Sequence, residues 1–462
     1  MLSVSGCRGI VGATVTPEVV RRYAGALVLW IGATPGRRAR VVLGRDGRAG
    51  GESLAAAARD ALLGAGCDVI DLGVAMTPTV GVMVVDRGAD AGLVVTASHN
   101  PAEWNGLKPI TSKGRAPSAE EALRLNQLFA DGKTATGTAR RGSVETCVDS
   151  AEVHVARVVT ALTGLTDSET IRRRRFRVAL DSVNAAGSVG GRRLLEALGC
   201  EVVHLNAKIS GVFPHPPEPL EQNLGGLCRA AIEHRTDIAF AQDPDGDRLA
   251  IVDERGRYIG EEYTLALCAD AVFGSPKMLG RSGAVLAANM STSRMIDDIA
   301  ERYGAQVART PVGEAHVAAA MAQSGAVLGG EGNGGVIWPD VVMIRDSLVA
   351  MALVLALMAR EGRALGEIVA GLPSYAIEKR KSPLAPGLGA RAASALAQAF
   401  PGAAADTRDG VRLDFPSTSH RGKAWLHVRV SNTEPILRLI AEAPTRGETA
   451  MILDRAQAAL ND

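Results

Sequence analysis

The stretch Asp237-Ile-Ala-Phe-Ala-Gln-Asp243-Pro-Asp-Gly-Asp-Arg248-Leu-Ala-Ile-Val252 sets three alternating carboxylates between two short apolar runs. Runs of this length bounded by turn residues read as strands, and Pro244 with Gly246 forces a tight turn between them. Asp243, Asp245 and Asp247 must therefore crowd together. Two like charges about 4 Å apart repel by roughly 4 kcal/mol at an effective dielectric near 20, so such a turn calls for a cation. Oxygen-only ligands in a compact loop suit a hard divalent ion, and magnesium combines few carboxylates with substrate phosphate oxygens. Asp243, Asp245, Asp247 and Glu254 also fall at positions 1, 3, 5 and 12 of an EF-hand loop. Position 6 there needs glycine but is Arg248, and the flanks read as strands rather than helices. A solvated acidic turn without metal is the plainer alternative.

A second strand-like run, Ala91-Gly-Leu-Val-Val95, leads into Thr96-Ala-Ser98-His99-Asn-Pro101. Asn-Pro initiates a turn and blocks a helix, which puts Ser98 at the mouth of a sheet. Adjacent residues of an extended segment point apart, so His99 is not expected to reach the serine, and no G-x-S-x-G elbow occurs in the chain. Lys108, in Trp104-Asn-Gly-Leu-Lys108, stands one loop's length after Ser98, where its ammonium could approach a phosphoryl oxygen or shuttle a proton; a solvated loop lysine is the plain alternative.

Around these two turns, strand-like and helical segments alternate: Arg40–Leu43, Ser53–Leu63, Cys67–Ile70, Val80–Val85 and Leu93–Val95, then again from Phe176 and from Ala284. This is α/β layering in three comparable units. Leu63-Gly-Ala-Gly-Cys67 and Leu198-Gly-Cys200 share a helix–glycine–strand grammar that is either a weak repeat or common punctuation. Beyond Leu372-Pro373 the strands carry more polar faces, as in Ala424-Trp-Leu-His-Val-Arg-Val430, and imply a different fourth domain. The expected domains are residues 1–148, 149–255, 256–371 and 372–462.

The chain has 462 residues, a formal charge of +1 and 3% aromatics, which gives neither a nucleic-acid footprint nor a base-stacking platform. Six cysteines without C-x-x-C spacing argue against a zinc site and a disulfide framework, and fit a reducing cytoplasm. The start lacks an apolar signal core, and the longest apolar run, Leu348–Ala359, is too short for a bilayer and reads as a buried helix. No membrane partner is expected. The basic run Arg172–Arg175 reads as a solvated helix end.

Two further segments could carry binding. Gly329-Gly-Glu331-Gly-Asn333-Gly-Gly335 lets backbone approach a ligand, while Glu331 and Asn333 offer the directional groups that sugar hydroxyls require. It does not open a helix as G-x-G-x-x-G would. Arg429-Val-Ser431-Asn432-Thr433-Glu-Pro435 with Arg438 gathers guanidinium, hydroxyl and turn-amide donors, as a dianionic phosphate requires; a structural turn with an ion pair is the alternative.

Together these four segments, with Ser5-Gly-Cys-Arg8-Gly near the start, resemble the α-D-phosphohexomutases over essentially the whole chain. The resemblance implies four domains around a central cleft: three similar α/β domains with mixed sheets and a smaller, distinct α+β domain. It implies a phosphoserine at Ser98 that passes its phosphoryl group to a sugar monophosphate and takes another back from the bound hexose 1,6-bisphosphate after it turns around. Mg²⁺ would be held by Asp243, Asp245, Asp247 and the serine ester, with Arg8 and Arg248 adding positive charge. The proton carrier stays open among Lys108, His99, Glu314 and His316. Glu331, Asn333 and Gly313 would contact the sugar, and Arg429, Ser431, Asn432, Thr433 and Arg438 the far phosphate. Asn432 replaces a usual glycine but tolerates left-handed angles. Cys7 replaces a usual aliphatic residue, and Glu314 stands where some relatives have histidine.

Within the family, the segments Ser3–Gly12 and Phe213-Pro-His-Pro-Pro-Glu-Pro219 and the Glu331 loop most resemble phosphoglucosamine mutases, which makes glucosamine 6-phosphate the expected substrate and phosphomannomutase or phosphoglucomutase activity the alternative. A non-catalytic sugar-phosphate-binding protein is the alternative of a different class; it would need no nucleophile. Monomer and homodimer both remain open.

Overall fold

The computed structural model describes residues 2–32, 37–135, 140–280, 282–384, 388–415, 424–431 and 436–461. Four sheets organise them. The first runs, edge to edge, through Leu2–Ser3, Gly6–Ile10, Trp104–Thr111, Ala91–Val95, Arg40–Arg45, Asp68–Val74 and Val144–Thr146. The second runs through Leu249–Asp253, Ile238–Gln242, Arg177–Asp181 and Glu201–Leu205, and the third through Gln306–Thr310, Val285–Asn289, Leu328–Glu331 and Gly335–Ile337.

The three share one wiring. In each, three parallel strands are followed by an antiparallel strand entered through a turn from the third: Ala91–Val95 into Trp104–Thr111, Ile238–Gln242 into Leu249–Asp253, and Leu328–Glu331 into Gly335–Ile337. The turns are the serine segment, the acidic segment and the glycine-rich Glu331 segment. All three candidate loops thus occupy the same place in the fold, beyond the carboxyl end of a parallel strand, where open α/β sheets bind ligands.

The helix Ser347–Glu361 is apolar on every side and lies in the middle of a core that reaches from the helix Thr77–Asp86 to the third sheet; each residue from Ser347 to Ala359 is buried. The run Leu348–Ala359 is therefore a buried helix, as read. Among the described residues no helix is long and apolar enough to cross a membrane. The run Arg172–Arg174 ends the helix Ser168–Arg174, whose following residue Arg175 takes a left-handed conformation (φ 48°).

The fourth sheet is antiparallel throughout, in the order Ala376–Pro383, Ile436–Ala443, Trp425–Val430, Val411–Asp414, Ala404–Asp406, and has its own apolar cluster with the helices Leu388–Ala399 and Arg446–Asn461. It meets the third unit through polar contacts: Asp409 Oδ2 accepts from Val312 N at 2.8 Å and Glu442 Oε1 from Arg294 N at 2.9 Å.

Candidate active site

The serine turn is held from behind by a buried ion pair. Arg48 and Asp46, with fully buried side chains, pair at 2.8 Å. The Arg48 guanidinium donates to the carbonyl of Ser98 and to those of Asn100, Pro101 and Trp104 at 3.4, 3.3 and 2.6 Å. Five donors in a rigid fork let one side chain gather four carbonyls of the turn. Asp46 also accepts from Thr96 Oγ1 at 2.6 Å, and Thr96 Oγ1 in turn accepts from Ser98 N at 2.8 Å. Ser98 itself sits at φ 53°, a left-handed conformation that costs a non-glycine residue about 1 kcal/mol or more.

That backbone overturns one sequence expectation. The segment is not extended at Ser98, and His99 Nδ1 comes to 3.3 Å from Ser98 Oγ. Burial, with Arg248 and Arg8 close by, pushes the His99 ring well below the usual histidine range and keeps it neutral. Its Nε2 lies 3.8 Å from Glu218 Oε1, and the same oxygen lies 3.8 Å from Arg248 Nη1. Arg8 Nη1 donates to Asn100 Oδ1 at 3.1 Å and to the Ala97 carbonyl at 3.3 Å.

The acidic turn meets the serine turn directly. Ser98 Oγ donates to Asp243 Oδ2 at 3.0 Å, while Asp243 Oδ1 accepts from the amides of Asp247 and Arg248 at 3.0 and 3.1 Å. All three aspartates are fully buried, and one oxygen from each lies within 4.8 Å of the others. Asp245 Oδ1 and Asp247 Oδ1 are buried without a hydrogen-bond partner among the described residues. Unpaired carboxylate oxygens in a dry cluster suit a hard divalent cation, so the residues present fit a metal. Burial drives the Asp243 carboxyl well above the usual range, and its neighbours Asp247 and Asp245 add to the rise. Burial would do the same to Asp247, but Arg345, Lys108 and Arg248 outweigh it and hold that group below the usual range.

Lys108 is not the solvated loop lysine of the plain alternative. It lies on the strand Trp104–Thr111 rather than in a loop, because the turn after Ser98 closes by Glu103. Its Nζ reaches Asp245 Oδ2 at 2.7 Å and Asp247 Oδ2 at 3.0 Å. Burial disfavours its charge, yet Asp245 and Asp247 outweigh burial and raise the ammonium above its usual range.

In the third turn Glu331 is already engaged. Its Oε1 accepts from Asn289 Nδ2 at 2.8 Å and Gly313 N at 3.1 Å, and its Oε2 from Arg345 Nη1 at 2.6 Å. Asn333 Oδ1 accepts from Gly335 N at 3.3 Å. Glu314 accepts from Arg345 N at 3.0 Å, whereas His316 is half-buried on the helix Glu314–Ser324. In the fourth unit Arg429 pairs with Asp409 at 3.2 Å, and Ser431 N donates to the Ile436 carbonyl at 2.9 Å. Arg438 lies on the strand Ile436–Ala443, opposite Arg429; Asn432 and Thr433 lie outside the described residues.

Four side chains joined to the site were not singled out from sequence: Arg48, Asp46, Arg345 and Thr77, whose Oγ1 donates to Asp245 Oδ2 at 2.6 Å. Asp46 and Arg48 stand in Gly44-Arg-Asp-Gly-Arg48, a turn signal directly after a strand, and Arg345 precedes the helix cap Asp346; both are visible as positions but not as partners.

Four successive segments match family profiles described as phosphoglucomutase/phosphomannomutase, alpha/beta/alpha domains I, II and III and C-terminal domain: residues 2–136, 156–256, 261–375 and 380–459. A Thermococcus kodakarensis protein named phosphoglucomutase/phosphomannomutase is 36% identical over 457 residues, covering 97% of this chain and 96% of that one. A Methanopyrus kandleri protein named probable phosphoglucosamine mutase is 35% identical over 455 residues, covering 97% and 95%. The crystal structure of a phosphoglucomutase/phosphomannomutase family protein from Burkholderia thailandensis superposes with a TM-score of 0.84 at 29% identity, over 100% of this chain and 98% of that one. The shared wiring of three α/β units and the match of all four segments agree, and the chain belongs to the phosphoglucomutase/phosphomannomutase family, the α-D-phosphohexomutases.

Proposed function

We propose that the protein is a phosphohexomutase that moves phosphate between the C6 and C1 oxygens of a hexose through a phosphoserine at Ser98 and a bound hexose 1,6-bisphosphate. The observation that carries this reading is the 3.0 Å contact between Ser98 Oγ and Asp243 Oδ2, which puts a nucleophile of the first unit on the carboxylate cluster of the second. Phosphoryl transfer needs positioning and neutralised charge more than covalent chemistry. Asp243, Asp245 and Asp247, with the serine ester, would hold Mg²⁺, which when bound supplies positive charge to the transferring phosphoryl group. Arg8 and Arg248 flank the serine turn and add to it. Lys108, between Asp245 and Asp247, is the proton carrier in this reading. His99, neutral and 3.3 Å from the serine oxygen, keeps that oxygen oriented. Glu331, Asn333 and Gly313 contact the sugar; Arg429, Ser431, Asn432, Thr433 and Arg438 take the far phosphate.

Glucosamine 6-phosphate and glucosamine 1-phosphate are the proposed pair, supported by the resemblance of the Glu331 loop and the Phe213–Pro219 segment to phosphoglucosamine mutases and by the name of the Methanopyrus relative. The name of the Thermococcus relative favours a second reading, glucose and mannose phosphates. A panel of glucosamine, glucose and mannose 6-phosphates, compared by kcat/KM with the hexose 1,6-bisphosphate present, decides between them. Intact mass before and after phosphatase treatment tests the phosphoserine; a protein without a phosphate adduct and without turnover on any of the three would overturn the mutase reading in favour of a binding protein.

A further inference from the structure

One guanidinium joins two of the three equivalent turns. Arg345 Nη2 donates to Asp247 Oδ2 in the acidic turn at 2.7 Å, and Nη1 donates to Glu331 Oε2 in the glycine-rich turn at 2.6 Å. A third carboxylate, Glu314 Oε2, lies 3.6 Å from Nη2, and Glu314 Oε1 accepts from the Arg345 amide at 3.0 Å. The side chain is buried, so its charge is set against these carboxylates with little water to screen it.

Its path depends on a glycine. A Cβ placed on Gly335 would stand 2.3 Å from Arg345 Cδ, so the arginine stem fills the room that a side chain at position 335 would take. Its base is fixed as well. The next residue, Asp346, caps the central helix through Leu348 N at 2.9 Å, and its other oxygen lies 2.7 Å from His154 Nε2.

We propose that Arg345 is a positioning residue that clamps Asp247 of the acidic turn to Glu331 of the sugar-facing turn, so that one cation sets both the charge offered to a divalent metal and the acceptor offered to a ring hydroxyl. This rests on the roles of Asp247 and Glu331 proposed above. A lysine could hold one of these carboxylates but not span both, because its ammonium is a point charge without the planar fork.

The test uses Arg345→Ala, Arg345→Lys and Gly335→Ala in the full chain. For Arg345→Ala, kcat/KM for the hexose 6-phosphate that the wild type turns over falls about 100-fold, the cost of a misplaced binding group. Titration calorimetry with Mg²⁺ alone gives several-fold tighter binding, because a cation beside a ligand carboxylate is gone. Millimolar guanidinium restores part of the activity and raises the melting temperature of Arg345→Ala but not of the wild type. Arg345→Lys keeps Mg²⁺ affinity near the wild type while losing kcat/KM, and Gly335→Ala, which displaces the arginine without removing it, changes both quantities in the same directions as Arg345→Ala.

Weaker or unchanged Mg²⁺ binding in Arg345→Ala, or unchanged kcat/KM, would overturn the clamp, since a merely structural residue would loosen the metal site and would not respond to guanidinium. A wild-type protein inert towards every hexose phosphate would overturn the function instead; the clamp would then stand or fall on the Mg²⁺ and melting results.

Discussion

Ser98 donates its hydroxyl hydrogen to Asp243 across 3.0 Å and 145 positions of chain. The contact brings a hydroxyl to the edge of a carboxylate cluster in which Asp245 Oδ1 and Asp247 Oδ1 have no hydrogen-bond partner among the described residues, and with the proposed phosphoserine it makes a sharp prediction. Ser98→Ala abolishes phosphate incorporation and lowers turnover by about 10⁴-fold or more, the scale on which losing a nucleophile acts. The fold keeps its melting temperature within a few degrees, because Arg48 grips the Ser98 carbonyl rather than its hydroxyl. Intact mass, steady-state kinetics and thermal melting of the same preparation check it; retained turnover would end the phosphoserine reading.

Lys108 gives the second prediction. With Nζ on Asp245 and Asp247, the ammonium offsets part of the like-charge repulsion among three buried carboxylates. Lys108→Met removes that charge but keeps the length of the stem. Its melting temperature without metal falls by several degrees, and added Mg²⁺ recovers more of it than in the wild type, since a ligand present at 100 times its Kd stabilises by about 2.7 kcal/mol. Turnover stays at least about 100-fold down even at saturating Mg²⁺, on the scale of a lost proton-transfer group. Thermal melts in EDTA and in graded Mg²⁺, beside kinetics, separate the charge effect from the chemical one.

What sequence could and could not reveal follows from the range of the forces involved. The acidic turn was legible because Pro244, Gly246 and two apolar runs act locally, and the buried helix because Leu348–Ala359 has no polar side. Arg48 was not legible as the organiser of the serine turn: its acceptors lie 50 to 56 positions downstream and are backbone carbonyls, which leave no mark in side-chain identity. His99 departs from the extended-segment expectation because the left-handed backbone at Ser98 is held by that distant arginine and by Thr96 rather than by serine's own preference. A solvated loop lysine is the plain alternative at position 108, but pairing of its strand with Gly6–Ile10 on one side and Ala91–Val95 on the other, neither of them local to Lys108, draws it into the sheet. That the three turns are equivalent emerges only from strand order, since their sequences share no residue pattern.

The third prediction concerns pH. Glu262 is buried, accepts from Ser293 N at 2.9 Å and has Oε1 without a hydrogen-bond partner among the described residues; burial pushes it from 4.5 up to about 8. The folded chain therefore holds this proton up to about pH 8, while the unfolded chain releases it near 4.5. Between those values the native state binds more protons, and stability falls as pH rises. Glu262→Gln removes this contribution to the slope. A Cβ on Gly332 would stand 2.0 Å from Glu262 Oε2, so Gly332→Ala displaces the carboxylate and also flattens the pH dependence. Melting temperatures of the three proteins from pH 5 to 9 would show parallel curves if Glu262 titrates normally, which is the outcome against the prediction.

The last prediction weighs scaffold against chemistry at His154. Its ring is fully buried between Thr79 Oγ1 at 2.9 Å and Asp346 Oδ2 at 2.7 Å, and so ties the helix Thr77–Asp86 of the first unit to the cap of the central helix. His154→Ala leaves a buried carboxylate and a buried hydroxyl short of a partner and opens a cavity. Those losses together cost about 2–4 kcal/mol. Asp346 still caps the helix through Leu348 N, so the neighbouring Arg345 shifts only slightly and kcat falls by less than about tenfold, well short of what a misplaced catalytic group costs. A melting temperature several degrees lower with kcat largely kept places His154 in the scaffold. A large fall in kcat at an unchanged melting temperature would instead mean that the chain from Thr79 to Asp346 acts on the reacting groups themselves.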